Sequence, residues 1–107
     1  MTRGEVFRVR SPRGARGREQ RGSRFGVVVQ ADELLGLSTV LVAPTSRRAL
    51  ATSFRPVVRI DGAQTRVLLE QTGAVDPARL GRSAGRLDAG ELDALDEALA
   101  RVFGLQM

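Results

Sequence analysis

The sequence predicts a small α+β fold in which short strands form a partly closed barrel and one helix follows them. Two observations predict this class: β-branched runs separated by Gly, Pro and Asp recur along most of the chain, and the C-terminal part changes to helical periodicity. A third observation is the length of 107 residues, which is typical of one domain. We therefore expect residues 1–107 to form a single domain.

The first half of the chain contains three strand-like segments. Residues 5–9 predict a strand, whereas residues 11–23 are dominated by Gly, Pro and Arg and predict a loop. Residues 25–30 and 39–43 are β-branched runs, which are typical of central strands buried on both faces. Between these two runs, residues 31–37 predict a helical turn.

A β-hairpin is predicted next. Residues 54–60 alternate between apolar and other side chains, as expected for a strand with one face in the core. Pro56 has no amide hydrogen to donate, which favours a position at the sheet edge. Asp61 and Gly62 form a turn signal, so this strand is expected to pair with residues 65–71.

The last element is a helix predicted over residues 89–103, where leucines recur at helical spacing. Asp88 can cap its first turn, Glu91 completes a capping-box pair, and Gly104 is a typical helix stop. The Asp-Pro pair at 76–77 predicts a short helical turn at most. In total, we expect four or five strands and one terminal helix.

Basic charge is concentrated in the N-terminal quarter of the chain. All 17 basic residues are arginine, and the net charge is +5. Residues 1–24 hold eight arginines against two glutamates, a balance of +6, whereas residues 87–107 have a balance of −4. Exclusive use of arginine also fits the base composition of a GC-rich genome, but the asymmetry favours a polyanionic partner for the N-terminal part.

The composition excludes several classes of protein. Without Cys or His, the chain lacks disulfides, thiolate sites, the commonest metal ligand and the commonest general base, so we expect no metal and no cofactor. No apolar run approaches the roughly 20 residues of a membrane span, and no secretory signal precedes the first strand. We expect a soluble cytoplasmic protein. Its remaining groups suit RNA cleavage, because the ribose 2′-hydroxyl is a nucleophile that the substrate supplies.

The first candidate site is the pair Glu19 and Arg24, where the basic loop meets a strand. An arginine fork binds phosphate oxygens through two parallel hydrogen bonds, and a nearby carboxylate can take a proton or orient a base. A solvated surface pair is the plain alternative. Further arginines of the loop are expected to form a salt-sensitive phosphate track. These are Arg13, Arg16, Arg18 and Arg21.

The second candidate site contains two hydroxyls, Thr45 and Ser46, followed by Arg47 and Arg48. A hydroxyl at a strand end beside two arginines can bond a phosphate oxygen in the transition state. The same residues after Pro44 are also typical of a chain reversal without chemistry.

Base recognition is expected to depend on polar contacts, because the chain has four Phe and neither Tyr nor Trp. Glu70 and Gln71, at the predicted end of the hairpin, can read the edges of unpaired bases. Ordinary polarity at a strand end is the alternative.

Several segments resemble the MazF/PemK toxin family, in an order that extends over nearly the whole chain. Residues 3–7 resemble the family's opening strand, and Glu-Gln at 19–20 followed by Arg24 resembles its Glu-Gln-x-Gly-x-Arg segment. The run at 39–46 resembles its strand with a hydroxyl, and Glu-Gln at 70–71 is similar to a later strand. Residues 95–99 resemble the C-terminal segment of the family.

The resemblance implies an SH3-like barrel of the CcdB/PemK plasmid-maintenance toxin fold with a C-terminal helix. It implies the toxin of a type II toxin–antitoxin system, a homodimer that cuts single-stranded messenger RNA at short motifs and leaves 2′,3′-cyclic phosphate and 5′-hydroxyl ends. The arginine-rich loop favours transfer or ribosomal RNA as alternative substrates. An antitoxin with an acidic tail is the implied partner.

By position, the resemblance makes Arg24 the catalytic arginine, Glu19 the loop carboxylate, and Thr45 or Ser46 the catalytic hydroxyl. Phe25 stands where the family usually has Pro and can form a platform for a base. A gyrase-binding toxin of the CcdB type and an RNA-binding module without catalysis are the alternative functions. The further expected RNA contacts are Gln20, Arg47, Arg48, Glu70 and Gln71.

Overall fold

The computed structural model describes residues 1–10 and 23–106. These contain seven strands, β1 (Glu5–Arg10), β2 (Ser23–Val28), β3 (Val40–Ser46), β4 (Val57–Ile60), β5 (Ala63–Val67), β6 (Gly73–Val75) and β7 (Leu80–Arg86). One α-helix, α1 (Ala89–Phe103), follows them, and short 3₁₀ turns cover Asp32–Leu34, Leu69–Gln71 and Pro77–Arg79. None of the helices described here has the length and apolarity needed to cross a membrane.

The strands form one antiparallel sheet in the order β4-β5-β3-β2-β1-β7, with β6 paired to β3. The two ends of β3 have different neighbours: Val40 to Val42 pair with β6, whereas Thr45 and Ser46 pair with β5. The sheet curls into a half-barrel, and α1 packs against it. This architecture confirms the predicted α+β class and the partly closed barrel.

The centre of the sheet is covered on both faces. Val27 and Val28 are consecutive in β2 and both fully buried, although successive strand side chains point to opposite faces. Val27 belongs to the main core with Leu95 of α1, whereas Val28 belongs to a second cluster with Val42. The prediction of burial on both faces is confirmed for β2, whereas in β3 it was wrong at Leu41, which is 41% exposed.

Helix α1 has the predicted bounds because its ends are set by local contacts. The Asp88 carboxylate accepts the Glu91 amide hydrogen at 2.7 Å, and Glu91 Oε1 accepts the Asp88 amide hydrogen at 2.9 Å. Gly104 ends the helix in the left-handed region, with φ of 68°. Oε2 of Glu91 also accepts the Arg59 amide hydrogen at 2.7 Å. The start of the helix therefore covers one donor of edge strand β4.

The predicted hairpin is β4–β5, and β4 lies at the sheet edge as Pro56 indicated. Asp61 and Gly62 have φ of 51° and 76°, the positive values that a two-residue hairpin turn requires. The predicted start of the strand was wrong: β4 begins at Val57, after Pro56.

The predicted end of the hairpin was also wrong. Strand β5 ends at Val67, and Glu70 and Gln71 belong to a 3₁₀ turn instead of a strand. Val67, Leu68 and Leu69 are all buried. Val67 and Leu69 belong to the main core, and the chain turns there because the Gln71 amide donates to the Leu68 carbonyl oxygen and the Thr72 hydroxyl donates to the Leu69 carbonyl oxygen.

Two strands were missed, and both bounds of β2 were misplaced. Strands β6 and β7 contain mostly Gly, Ala, Ser and Arg, so their composition predicts no strand. They form because β3 and β1 offer them hydrogen-bonding partners. Strand β2 begins at Ser23, inside the predicted loop, and ends at Val28. The predicted helical turns at 31–37 and 76–77 are confirmed as 3₁₀ turns.

Candidate nucleic-acid interface

An open cavity of about 420 Å³ lies where β2 begins and β3 ends. The β2–β3 register pairs Gly26 with Pro44, so the preceding residues of β2 lie beside the last residues of β3. Apart from Thr65, the lining consists of residues that the sequence indicated. They are Arg24, Phe25, Thr45, Ser46, Arg47 and Arg48.

The charges at this cavity are positive. Three arginines line it, and no carboxylate is found among its described lining residues. Burial lowers the pKa of Arg24 from the ordinary arginine value. That ordinary value is so high that the guanidinium remains protonated at neutral pH. The cavity therefore attracts anions and offers Arg24 in a partly dehydrated position, where its charge acts more strongly than in open water.

The two hydroxyls of β3 have different hydrogen bonds. Thr45 is 5% exposed, and its Oγ1 donates to the Phe25 carbonyl oxygen at 2.9 Å. Its lone pairs remain able to accept. Ser46 Oγ accepts the Arg48 amide hydrogen at 3.1 Å, so its own hydrogen remains available to donate. Because β3 continues through Ser46 and pairs with β5, the interpretation of this segment as a chain reversal was wrong.

Thr65 of β5 also lines the cavity, and sequence analysis did not single it out. It is buried, and its Oγ1 donates to the Ala63 carbonyl oxygen at 3.2 Å. In the alternating pattern of β5, Thr65 shares the buried face with Val67. A polar residue at a core-facing strand position is the signal that could have identified it.

Glu70 and Gln71 do not line this cavity. The Glu70 carboxylate is held by Arg55, whose Nε donates to Oε2 at 3.0 Å and whose Nη2 donates to the same oxygen. The hydrogen bond from Arg55 holds the pKa of Glu70 below its ordinary value. Glu70 is therefore an ion-paired carboxylate outside the cavity.

The Arg55–Glu70 pair should make stability depend on pH. Because the pKa of Glu70 is lower in the folded chain, the pair stabilises the fold above the ordinary value of 4.5, and this stability is lost as the pH falls through the lowered pKa. We expect Glu70→Gln to lower Tm slightly at pH 7, since the pair is near the surface. The difference in Tm between this variant and the unmodified chain should disappear at acidic pH. In a chain that already carries Arg55→Gln, Glu70→Gln should have no such pH-dependent effect on Tm. The same Tm difference in that background would contradict the assignment of the effect to the Arg55–Glu70 pair.

Six residues named from the sequence lie outside the described residues. They are Arg13, Arg16, Arg18, Glu19, Gln20 and Arg21. In the chain they precede Ser23, the first residue of β2, and Arg24 of the cavity.

The family model and the curated relative that match this chain both indicate the same family of toxins. Residues 2–103 match the family described as PemK-like, MazF-like toxin of type II toxin–antitoxin system. A candidate toxin of Mycobacterium tuberculosis H37Rv is 36% identical over 106 residues, which are 98% of this chain and 99% of that protein.

Solved structures of similar fold come from the same group of proteins. Mycobacterium tuberculosis toxin MazF-mt6 superposes with a TM-score of 0.79 and 20% identity, over 96% of this chain and 99% of its own. An endoribonuclease from a mycobacterial species, solved in complex with its cognate antitoxin, gives a TM-score of 0.82 and 16% identity, over 100% of this chain and 98% of its own. At these identities the superpositions show the fold, a curled antiparallel sheet with a C-terminal helix.

Proposed function

Because the chain belongs to the PemK-like and MazF-like toxins of type II toxin–antitoxin systems, we propose that it is an endoribonuclease that cleaves single-stranded RNA in the Arg24 cavity. The observation that carries the proposal is the meeting of three arginines and the two hydroxyls of β3 in one cavity. A phosphodiester needs positive charge and hydrogen-bond donors at its oxygens as it passes through the transition state. These lining residues offer both.

The proposed reaction uses the ribose 2′-hydroxyl as the nucleophile. Its oxygen attacks the adjacent phosphorus while its proton leaves, the bond from phosphorus to the 5′-oxygen breaks, and the departing 5′-oxygen takes up a proton from water. The products are a 2′,3′-cyclic phosphate and a 5′-hydroxyl. Arg24 neutralises the charge that builds on the phosphate oxygens, and Glu19 is proposed as the carboxylate that takes the proton. No metal is required by this scheme.

We assign different roles to the two hydroxyls. Ser46 has a hydrogen to donate, so it is proposed to donate to a phosphate oxygen. Thr45 gives its hydrogen to the Phe25 carbonyl, so it is proposed to accept the hydrogen bond of the ribose 2′-hydroxyl and hold that nucleophile in place.

These assignments predict different consequences for the two hydroxyl variants. Ser46→Ala should lower kcat by about 100-fold and change stability by less than about 0.5 kcal/mol, since the hydrogen bond between Ser46 and the Arg48 amide is exposed and water can replace the hydroxyl. Thr45→Val should lower kcat and also destabilise the fold by about 1 kcal/mol, because the Phe25 carbonyl loses its donor. Thr45→Ser is the control that retains the hydroxyl. Single-turnover kinetics and thermal unfolding would measure both effects, and equal stability losses would contradict the division of roles.

The proposed partners follow from charge and family. A basic cavity attracts an acidic polypeptide as well as RNA. A mycobacterial endoribonuclease of similar fold has been solved in complex with its cognate antitoxin. We propose that the chain acts as a homodimer and is silenced by an antitoxin whose acidic tail covers the cavity. Messenger RNA is the proposed substrate, with transfer and ribosomal RNA as the other candidates.

The test is cleavage of total RNA by the purified protein in excess chelator, with new 5′ ends mapped by sequencing. We expect ends with 5′-hydroxyl groups within short recurring motifs. Intact RNA at every salt concentration, or products with 5′-phosphates, would overturn the proposal. RNA binding without products would favour the non-catalytic module, and gyrase-dependent DNA breaks in expressing cells would favour the gyrase-binding toxin.

A further inference from the structure

A cation–π pair of side chains lies beside the cavity. The β1–β2 register places Arg8 directly opposite Phe25, and the Arg8 guanidinium carbon lies 4.9 Å from the centre of the Phe25 ring. This distance is within the range of a cation–π interaction. Phe25 itself lines the cavity and packs against the main core.

This arrangement changes what the Phe25 ring can offer to RNA. The guanidinium of Arg8 covers a face of the ring, and the ring is half-buried against the core, so a base has little free ring surface to stack on. Arg8 is exposed. Its guanidinium is planar, and a nucleobase can stack on the side that faces away from Phe25.

The ring also holds Arg8 in place. A free arginine side chain loses considerable rotational entropy when it binds, whereas an arginine already resting on an aromatic ring has lost part of that freedom beforehand. Among residues 1–10 and 23–106, the ion pairs involve Met1, Arg3 and Arg55 as the cationic partners. No described carboxylate therefore competes with RNA for the Arg8 guanidinium.

We propose that Arg8, supported by Phe25, is the surface on which an unpaired RNA base stacks next to the cleaved phosphate. The inference rests on the proposed ribonuclease function and adds a specificity-determining residue to it. A purine overlaps a guanidinium plane more fully than a pyrimidine does, so the enzyme should prefer a purine at this one position. Arg8 takes no part in the bond-breaking step.

The first experiment compares Arg8→Lys with the unmodified protein on a pool of RNA with randomised sequence. Lysine keeps the positive charge but lacks the planar group. We expect the purine preference at one position beside the cut to fall by about 5-fold or more, through a higher KM on the preferred motif, while the dependence of KM on salt stays the same because the charge is kept. Thermal unfolding confirms that the variant is folded.

Arg10→Lys is the matched control, since Arg10 is the next exposed arginine of β1 and is paired with Ser23 instead of Phe25. It should leave the purine preference intact. Equal losses in both variants would reduce Arg8 to a general phosphate contact and overturn the proposal. An unchanged preference in Arg8→Lys, or no purine preference in the unmodified protein, would overturn it too.

A second measurement separates this inference from the ribonuclease proposal. A single-stranded oligonucleotide with 2′-deoxyribose at every position cannot be cleaved, and 2-aminopurine can be moved through it one position at a time. Stacking on Arg8 should separate the probe from its neighbouring bases, which quench it, and so raise its fluorescence at one register; Arg8→Lys should abolish that rise while Arg10→Lys does not. A rise in a protein that cleaves no RNA would leave the stacking surface supported and the ribonuclease function refuted. Absence of a rise in an active enzyme would refute the stacking surface alone.

Discussion

Arg24→Ala is expected to lower the rate constant of RNA cleavage by about 100- to 1000-fold, the usual effect of removing one donor that meets developing negative charge. Arg24 lines the cavity with both hydroxyls of β3. Arg24 is half-buried there, and this burial lowers its pKa, so its charge interacts with a phosphate more strongly than a fully solvated charge does. Single-turnover cleavage of a defined RNA would measure the change.

Arg24→Lys distinguishes two possible roles of this side chain. If Arg24 only neutralises charge, lysine should restore part of the cleavage rate, and the pH–rate profile should keep its shape. The restoration should be incomplete because lysine cannot form the two parallel hydrogen bonds of arginine. If Arg24 delivers a proton, the lower intrinsic pKa of lysine should shift the alkaline limb of that profile. We expect the first result.

The control for loss of positive charge is Arg101→Ala. Arg101 is an exposed arginine of α1 that does not line the cavity, so cleavage should remain within about twofold of the unmodified protein at moderate salt. If Arg24→Ala also leaves the cleavage rate within about twofold of the unmodified protein, Arg24 has no role in the mechanism. That result would contradict the central part of the proposed function.

Gly26→Ala is expected to destabilise the fold by about 1–3 kcal/mol. A Cβ at position 26 would lie 2.5 Å from Val42 Cγ1 and 2.9 Å from Val9 Cγ2, so β2 and its neighbouring side chains would have to shift. For a chain of this size, each kcal/mol lowers Tm by about 4–8 °C. Because β2 also carries Arg24 and Phe25, cleavage should fall as well.

Gly36→Ala is the matched control, since a Cβ there would meet no atom within 4 Å. It should change stability by less than about 0.5 kcal/mol. The double variant Gly26→Ala, Val42→Ala tests the proposed clash, because removing the Val42 methyl groups opens the space that the new Cβ needs. We expect it to lose less stability than the two single variants predict by addition. Strict additivity would contradict the steric explanation.

Local signals in the sequence predicted some elements with correct bounds. Helix α1 begins at its capping box and ends before Gly104. The hydrogen bonds at both ends join residues that are only a few positions apart in the sequence. The turn at Asp61 and Gly62 is likewise a local preference for positive φ. Valine-rich composition was sufficient to identify the buried parts of β2 and β3, because consecutive strand residues that are both buried, such as Val27 and Val28 or Val42 and Ala43, must be apolar.

The candidate site was predicted in part. Arg24, Thr45 and Ser46 were indicated by residue type and by family resemblance, and they do line one cavity. Glu70 was indicated by the same reasoning, but its side chain is bound to Arg55, which is far from it in sequence and adjacent only in the fold. A pattern of residue types cannot show which of several chemically suitable partners a side chain meets.

What the sequence alone determined is therefore the fold class, the terminal helix, the hairpin turn, the family and the residue types available for RNA chemistry. Only the tertiary structure decided that β7 is a strand, that β3 continues through Ser46, that the two hydroxyls have different free hydrogen-bonding groups, and that Arg8 rests on Phe25. The physical reason is the range of the contacts. Caps and turns join neighbours in the chain, whereas strand pairing and cavity lining join residues from separate strands, and these are selected by packing of the whole sheet.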